Sequence, residues 1–529
     1  MKAKKMISGI LAVLMALSVI GCAKGGENKA ASIVKLAENS VYPITSEDSI
    51  TIWTPMDIAL TTKFSNFGET ELAKELEKRT GVKVTYIHPA VGQENEQFNL
   101  MVASNELADV VRYDWQNFGA QAAIENGYII ELNESIDKWA PGLKKVLSEN
   151  KKIDKMIKTD TGSYYVFPLL RSESRDTIYS GAIVRKDWLD QLGLEVPETI
   201  DEWDNMFRRF KNELNVDFPG GIRSSHIDRI FAGAYGVGVK YYIDDESGAV
   251  QFGPAEDAYK DFLTQMNIWY KDGLLDKNLA SLDNQTLESN MLNDRVGATF
   301  GAAAGALGKW MSAKTPTDPE FELVGAPYPV INKGDKAKFS SRSWEYVPSS
   351  SYAVSARCKN PELAIRFMDY GYTEEGSMLY NFGIEGVTYE MMDNYPKFTK
   401  KITESPEGFS AALAPYAMGS DSGPFVQDTR VVEQMQAKPK QVRAAVLTWA
   451  DTEAEKTLMP LVSLTAEEQS ELSNIISEID TFSTEMMLKF IVGTEPLENF
   501  EQYQEQLKKF NLDRAIEIYT AAVERYNKR

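Results

Sequence analysis

The sequence predicts an α/β fold arranged as two lobes, and three observations lead there. The chain has 529 residues, well past the roughly 250 to 300 at which a single hydrophobic core stops growing. Short segments of period two alternate with helical segments from residue 50 onward, the pattern of a parallel sheet covered by helices. Roughly the last 65 residues carry apolar side chains at helical spacing (Ile475, Ile476, Ile479 and Phe482, then Leu507, Phe510, Ile516, Tyr519 and Val523), so a helical C-terminal extension is expected.

Each element has a local reason. Ile50-Thr51-Ile52-Trp53 alternates at period two and is expected as a strand. Glu69 to Thr80 places Leu72 and Leu76 on one helical face and stops at Gly81, a left-handed cap residue. Val82 to Tyr86 is the next strand, a polar helix lies around Phe98 to Asn105, and Ala108 to Arg112 is a third strand. Tyr164 to Leu169 is an extended aromatic segment expected to cross into the second lobe. There Ile183-Val184-Arg185 leads into the helix Lys186 to Leu192, closed by Gly193. Thr199-Ile200-Asp201-Glu202 has the capping-box spacing, with Trp203, Phe207 and Phe210 following on one buried face. Arg295 to Phe300 and Phe321 to Gly325 are further strands, and Pro361 after Asn360 opens a helix that ends at Gly371. No period of 20 to 50 residues recurs, which excludes a solenoid or propeller.

Composition removes whole classes of function. With 43% hydrophobic and 11% aromatic residues the chain can bury a core. Its 57 basic and 77 acidic residues leave a net charge of −20, a field that repels phosphate backbones, so no nucleic-acid partner is expected. Two Cys and two His are too few for a zinc cluster or a disulfide framework. Cys358 has no His near it in sequence and is expected to be a structural thiol. Gly305 to Trp310 lacks the spacing and the Ser or Thr of a phosphate loop, Tyr235 to Gly238 lacks the third Gly of a dinucleotide site, and Gly419 to Gly423 puts Asp where a nucleophile elbow needs Ser. The acidic stretch Asp244-Asp245-Glu246-Ser247-Gly248 does not fit the spacing of a calcium loop and is expected as a solvated hairpin turn. A structural calcium is therefore unsupported, and neither metal nor cofactor is expected.

The first residues set the compartment. Lys2, Lys4 and Lys5 precede the apolar run Met6 to Ile20, the build of a secretory signal. The run ends in Val19-Ile20-Gly21-Cys22, which resembles the lipobox of bacterial lipoproteins. That likeness implies cleavage after residue 21, lipidation of Cys22, and an extracytoplasmic protein held to the membrane by its lipid alone. The polar stretch that follows, to residue 48, is expected as a tether.

Segment order carries a wider likeness. Ile52-Trp53-Thr54, Ala108 to Val111, Val184 to Asp190, Pro197 to Trp203 and Gly383 to Tyr389 occur in sequence behind the lipobox. In this the chain resembles the extracellular solute-binding lipoproteins of bacterial ABC importers, the large carbohydrate-type family 1 group, from about Ser49 to the C-terminus. The resemblance implies a periplasmic-binding-protein-like fold with crossing hinge segments and ligand in the cleft between lobes. It also implies a monomer without enzymatic turnover that hands a carbohydrate, expected to be an oligosaccharide, to permease subunits. Lobe 1 is expected to comprise residues 49–168 and 293–343, and lobe 2 residues 169–292 and 344–529.

Candidate ligand residues follow from chemistry. Sugar rings lay apolar C–H faces on indole or phenol rings while their hydroxyls take charged hydrogen-bond partners. Ligands of parallel sheets sit beyond the carboxyl ends of strands. Trp53 with Asp57, and Arg112 with Asp114 and Trp115, follow two such ends. Trp344 and Glu345 form another mixed cluster near the return crossing, and the resemblance adds Trp310 as a stacking residue. Trp115 and Trp344 are expected on opposite halves of a jaw. Trp139, Trp188, Trp203 and Trp269 are expected to be structural. Two other classes stay open: a peptide-binding or sensory lipoprotein, and a secreted glycoside hydrolase or lyase.

Overall fold

The computed structural model describes residues 42–419 and 422–529. The signal segment 1–21, Cys22 and the tether as far as residue 41 lie outside the described residues. Strands β1 (Ser49–Trp53), β2 (Lys83–Ile87), β3 (Val110–Arg112) and β4 (Phe167–Arg171) open the first lobe. The second lobe takes β5 (Ser180–Arg185), β6 (Phe218–Gly220), the hairpin β7 (Tyr241–Ile243) and β8 (Val250–Phe252), β9 (Val296–Ala302) and β10 (Leu323–Ala326). The chain then returns through β11 (Tyr346–Val354), the hairpin β12 (Tyr389–Met392) and β13 (Tyr395–Phe398), and β14 (Phe425–Gln427).

The first sheet has the order β14-β4-β11-β3-β1-β2 and the second the order β10-β5-β9-β6. In the first, β1 lies parallel to β2 and β3, while β11 runs antiparallel between β3 and β4. In the second, β5 is antiparallel to both β9 and β10. This pairing corrects the expected partition of the chain. Residues 296–302 and 323–326 belong with the second sheet, and residues 346–354 and 425–427 with the first, the reverse of the assignment of 293–343 and 344–529. Which sheet a strand joins is decided by partners far away in sequence, and no local pattern encodes it. The tether also ends earlier than expected. Ile44 is buried and its N–H bonds to the Thr80 carbonyl, while the Tyr42 hydroxyl donates to the Arg366 carbonyl at 2.5 Å.

Local signals hold. Thr70 caps the helix Glu71–Thr80 and left-handed Gly81 ends it. Thr199 and Glu202 form the reciprocal capping box, and Asn360 caps the helix Pro361–Asp369. Trp203, Phe207 and Phe210 are wholly buried, as is Trp269. The second sheet is covered on both faces, so alternate residues of β5 enter different cores: Ala182 and Val184 one, Ile183 the other. Trp449, from the helix Lys440–Ala450, lies flat across Gly181, where a Cβ would meet its ring at 2.6 Å, and its Nε1 donates to the Ala182 carbonyl at 3.1 Å. The C-terminal helices Ala466–Val492, Phe500–Lys509 and Leu512–Lys528 pack Leu472, Ile479, Phe490, Leu507 and Ile518 into the core beside Trp203.

Two crossing segments run side by side. The Arg342 guanidinium donates to Ser174 Oγ at 2.5 Å, and Ser343 Oγ donates to the Thr177 carbonyl at 3.3 Å. A third link comes from the C-terminal helix: Arg525 and Arg529 both pair with Asp160 at 2.6 Å, and Arg525 also meets Glu468. Cys358 is half-buried against the first core, and burial with Asp109 beside it pushes the thiol up to about 12. In the β7–β8 turn Asp244 accepts Ser247 N–H and Asp245 pairs with Lys338, so these carboxylates are already spoken for. Among the described residues no helix is long and apolar enough to cross a membrane.

Candidate functional site

Two hollows meet at the carboxyl ends of β1 and β3. One, of about 240 Å³, is lined at its mouth by Pro55, Asp57, Ile58 and Arg112. The other is a cleft of about 700 Å³ with Pro55, Arg112, Tyr113, Asp114 and Asn117 on the first-lobe side. Its opposite wall is the start of the helix Ala466–Val492, through Gln469, Ser470 and Ser473. Pro55 and Arg112 are common to both hollows. Because Leu472 and Ile475 of that helix are rooted in the second core, the cleft lies between parts of the two lobes.

Local chemistry builds the first-lobe wall. Past Trp53 the chain leaves the sheet at Thr54, and Asp57 turns it into a short helix by accepting the Ala59 N–H at 2.8 Å. Past Arg112, Asp114 does the same for the helix Trp115–Phe118: its Oδ1 accepts the Asn117 N–H at 3.0 Å and its Oδ2 the Asn117 side-chain amide at 2.7 Å. Burial raises the Asp114 carboxyl above the usual carboxylate range against these two bonds. Tyr113 lies parallel on Phe98 with ring centres 3.5 Å apart, and its hydroxyl donates to Asn95 Oδ1 at 2.9 Å. In β11 the register slips, Val347 facing Leu169 but Tyr352 facing Phe167, and this bulge delivers exposed Ser349 to the cleft. Across the gap, Gln469 Nε2 donates to the Asn117 carbonyl at 3.1 Å.

The structure gathers three of the expected residues here, Asp57, Arg112 and Asp114, and sends the indoles elsewhere. Trp115 is 0% exposed, its edge against Phe98 and its Nε1 bonded to the Val111 carbonyl at 3.1 Å. The helix that Asp114 caps begins at residue 115, which swings that side chain back under the sheet. Trp53 is 2% exposed, since β1 is covered on both faces. Trp310 is 4% exposed within the core formed by Leu307, Met311 and Val446. Trp344 is half-buried on the first core; its Nε1 donates to the Met459 carbonyl at 2.8 Å and Lys152 Nζ stands 5.3 Å above its ring. Glu345 is buried beside it and accepts Lys152 Nζ at 2.9 Å. Trp115 and Trp344 thus share one core and do not oppose each other across a jaw.

Sequence reasoning set Tyr113 within the mixed cluster Arg112 to Trp115 without choosing it as a ligand residue, and it missed Asn117, Ser349, Gln469, Ser470 and Ser473. Gln469, Ser470 and Ser473 left no signal, because the polar face of an amphipathic helix looks the same whether it meets water or a ligand. Among the described residues no group of three or more His, Cys, Asp and Glu side chains converges as a metal site.

Known proteins share this architecture. Fructooligosaccharide ABC transporter substrate-binding protein FusA of Streptococcus pneumoniae is 25% identical over 405 residues, 73% of this chain and 72% of FusA. Lipoprotein LipO of Bacillus subtilis is 23% identical over 519 residues, 94% of each chain. Among solved structures, alginate-binding protein AlgQ2 without calcium ion superposes with a TM-score of 0.75 at 24% identity, covering 90% of this chain and 98% of AlgQ2. FusA of S. pneumoniae in complex with kestose does so with a TM-score of 0.72 at 20% identity, covering 91% and 100%. The family model for bacterial extracellular solute-binding proteins matches residues 67–378, more than half of the sequence. With its two sheets, laced crossings and interlobe cleft, this chain belongs to that family.

Proposed function

We propose that the protein is the substrate-binding component of an ABC importer, anchored outside the cell through a lipid on Cys22, and that it captures an oligosaccharide in the cleft bounded by Arg112, Tyr113, Asp114 and Asn117 on one side and Gln469, Ser470 and Ser473 on the other. The observation that carries this reading is the cleft itself: about 700 Å³, with hydroxyl, amide and charged groups from both lobes set among the apolar surfaces of Pro55, Tyr113 and Phe118, the mixture that a sugar ring meets with its hydroxyls and its C–H faces. A neutral polyol satisfies such a lining, whereas an apolar solute would strand it. Relatives named for fructooligosaccharide and alginate support a saccharide, and FusA was solved with kestose.

In this reading the protein works as a monomer and by binding without turnover. A solute that touches Arg112 and Asp114 together with Ser470 and Ser473 gains its full contacts only when the lobes are closed, so its differential affinity shifts the open-closed equilibrium. The closed form is then what permease subunits accept. A micromolar complex needs about −8 kcal/mol, within reach of several charge-assisted hydrogen bonds after closure costs.

A thermal-shift screen of the mature protein against oligosaccharides, followed by calorimetry of the hits, tests the proposal. Saturation at 100 times the dissociation constant adds about 2.7 kcal/mol of stability. Response to peptides alone would transfer the protein to the peptide-binding or sensory class. Release of shortened sugar products would make it a hydrolase or lyase.

A further inference from the structure

The smaller hollow shares Pro55 and Arg112 with the cleft. Its lining adds Leu60, Leu76 and Phe67, the thioethers of Met56, Met368 and Met418, and the phenol rings of Tyr86 and Tyr380. Three of its hydroxyls come together where the Tyr352 hydroxyl lies 3.2 Å from Thr54 Oγ1 and 3.0 Å from Ser422 Oγ. At about 240 Å³ it exceeds the ~150 Å³ apolar cavity that stays dry and accepts benzene. A sugar ring pushed inside would turn part of its hydroxyls toward Leu60, Leu76 and Phe67, where they lack partners, a loss of affinity. A planar aromatic ring fits instead: methionine sulfur makes favourable contacts with ring edges, and the hydroxyl group at Tyr352 can donate to an acceptor on the ring. The mouth at Pro55 and Arg112 is shared with the sugar cleft, and Ile58 on its rim is 74% exposed.

We propose that this hollow is an aryl subsite, so that the preferred solute is a saccharide carrying an aromatic group, as an aryl glycoside or aromatic ester, with the sugar in the cleft and the ring lodged among Leu60, Phe67 and the three methionines. This rests on the carbohydrate reading above and narrows its substrate class. An aromatic ring attached to the sugar gains burial without a second loss of translational freedom, since the sugar already holds it at the mouth.

The experiment compares, by calorimetry on the mature full chain, the best-binding saccharide of the screen with its para-nitrophenyl glycoside. The expected result is a dissociation constant about tenfold or more lower for the aryl form. Ala417→Leu, at a residue that lines the hollow and not the cleft, should remove that advantage while the unsubstituted saccharide binds as before. Free para-nitrophenol added to the parent should weaken only the aryl glycoside, an arm that needs no variant. Equal affinities for the two sugars, or an aryl advantage that survives both Ala417→Leu and free para-nitrophenol, would overturn the subsite. If no saccharide binds at all, the carbohydrate reading is what has failed; para-nitrophenol alone then decides the hollow, upheld by binding to the parent and overturned by its absence.

Discussion

Replacing Trp115 by Ala separates a structural indole from a ligand-facing one. Trp115 is fully buried, with ring centres of Phe98 at 5.3 Å and Phe118 at 5.6 Å, and its Nε1 satisfies the Val111 carbonyl. Truncating a buried Trp costs about 3–5 kcal/mol through lost transfer energy and the cavity left behind. For a lobe of about 200 residues, at about 2–4 °C per kcal/mol, the melting temperature should fall by about 6–20 °C. Calorimetric melting and sugar titration, both performed where the variant is still folded, give the two readouts. Affinity should change less than about threefold, because the indole reaches neither hollow, and saturating ligand should restore the same ~2.7 kcal/mol as in the parent. A variant that melts within about 2 °C of the parent yet binds sugar more than tenfold more weakly would refute the placement of Trp115.

Other perturbations test other parts of the structure. Arg112→Ala should weaken saccharide binding by about 10- to 150-fold, the worth of hydrogen bonds from a charged donor, and an unchanged affinity in calorimetry would remove Arg112 from the site. Asp160→Ala deprives Arg525 and the nearly buried Arg529 of a shared partner. It should cost about 2–4 kcal/mol in denaturant unfolding, with little relief in high salt; a loss below about 0.5 kcal/mol would reduce the link to a surface pair. Burial, with Arg223 and Arg229 nearby, lowers His226 to about 4. The unfolded chain therefore binds the extra proton between about pH 4 and 6.5, and the stability His226 contributes above that window is lost as pH falls through it; His226→Gln should flatten the pH dependence of unfolding there. Asp369, whose carboxyl accepts the Gly142 and Leu143 N–H groups and is pushed up to about 6 by burial, acts in the opposite direction between about pH 4 and 6. Asp369→Asn should make the rise of stability with pH steeper, and a slope unchanged in both variants would show that neither group is linked to folding.

The elements that could be read in advance are those written within a few residues. Gly81 and Gly193 end helices in left-handed conformation, Thr199 and Glu202 cap each other, and Asn360 with Pro361 starts a helix, because caps depend on neighbours one to four positions away. The strand ends at Trp53 and Arg112 were equally legible, and with them Asp57, Arg112 and Asp114. The indoles were not. Whether Trp115 points to solute or core turns on where the helix after Asp114 begins, and Trp310 disappears into a core completed by Val442 and Val446, more than a hundred residues away.

Sequence alone determined that this is an α/β chain, strongly acidic and poor in Cys and His, and its segment order placed it among solute-binding proteins. Tertiary structure decided which strands share a sheet, that Tyr113 and Ser349 face the cleft, and that the polar side of the helix Ala466–Val492 supplies the opposite wall. The division has a physical cause: backbone preferences and caps act over a few residues, whereas a binding cleft exists only where surfaces separated by hundreds of residues are packed close enough to exclude bulk water from between them.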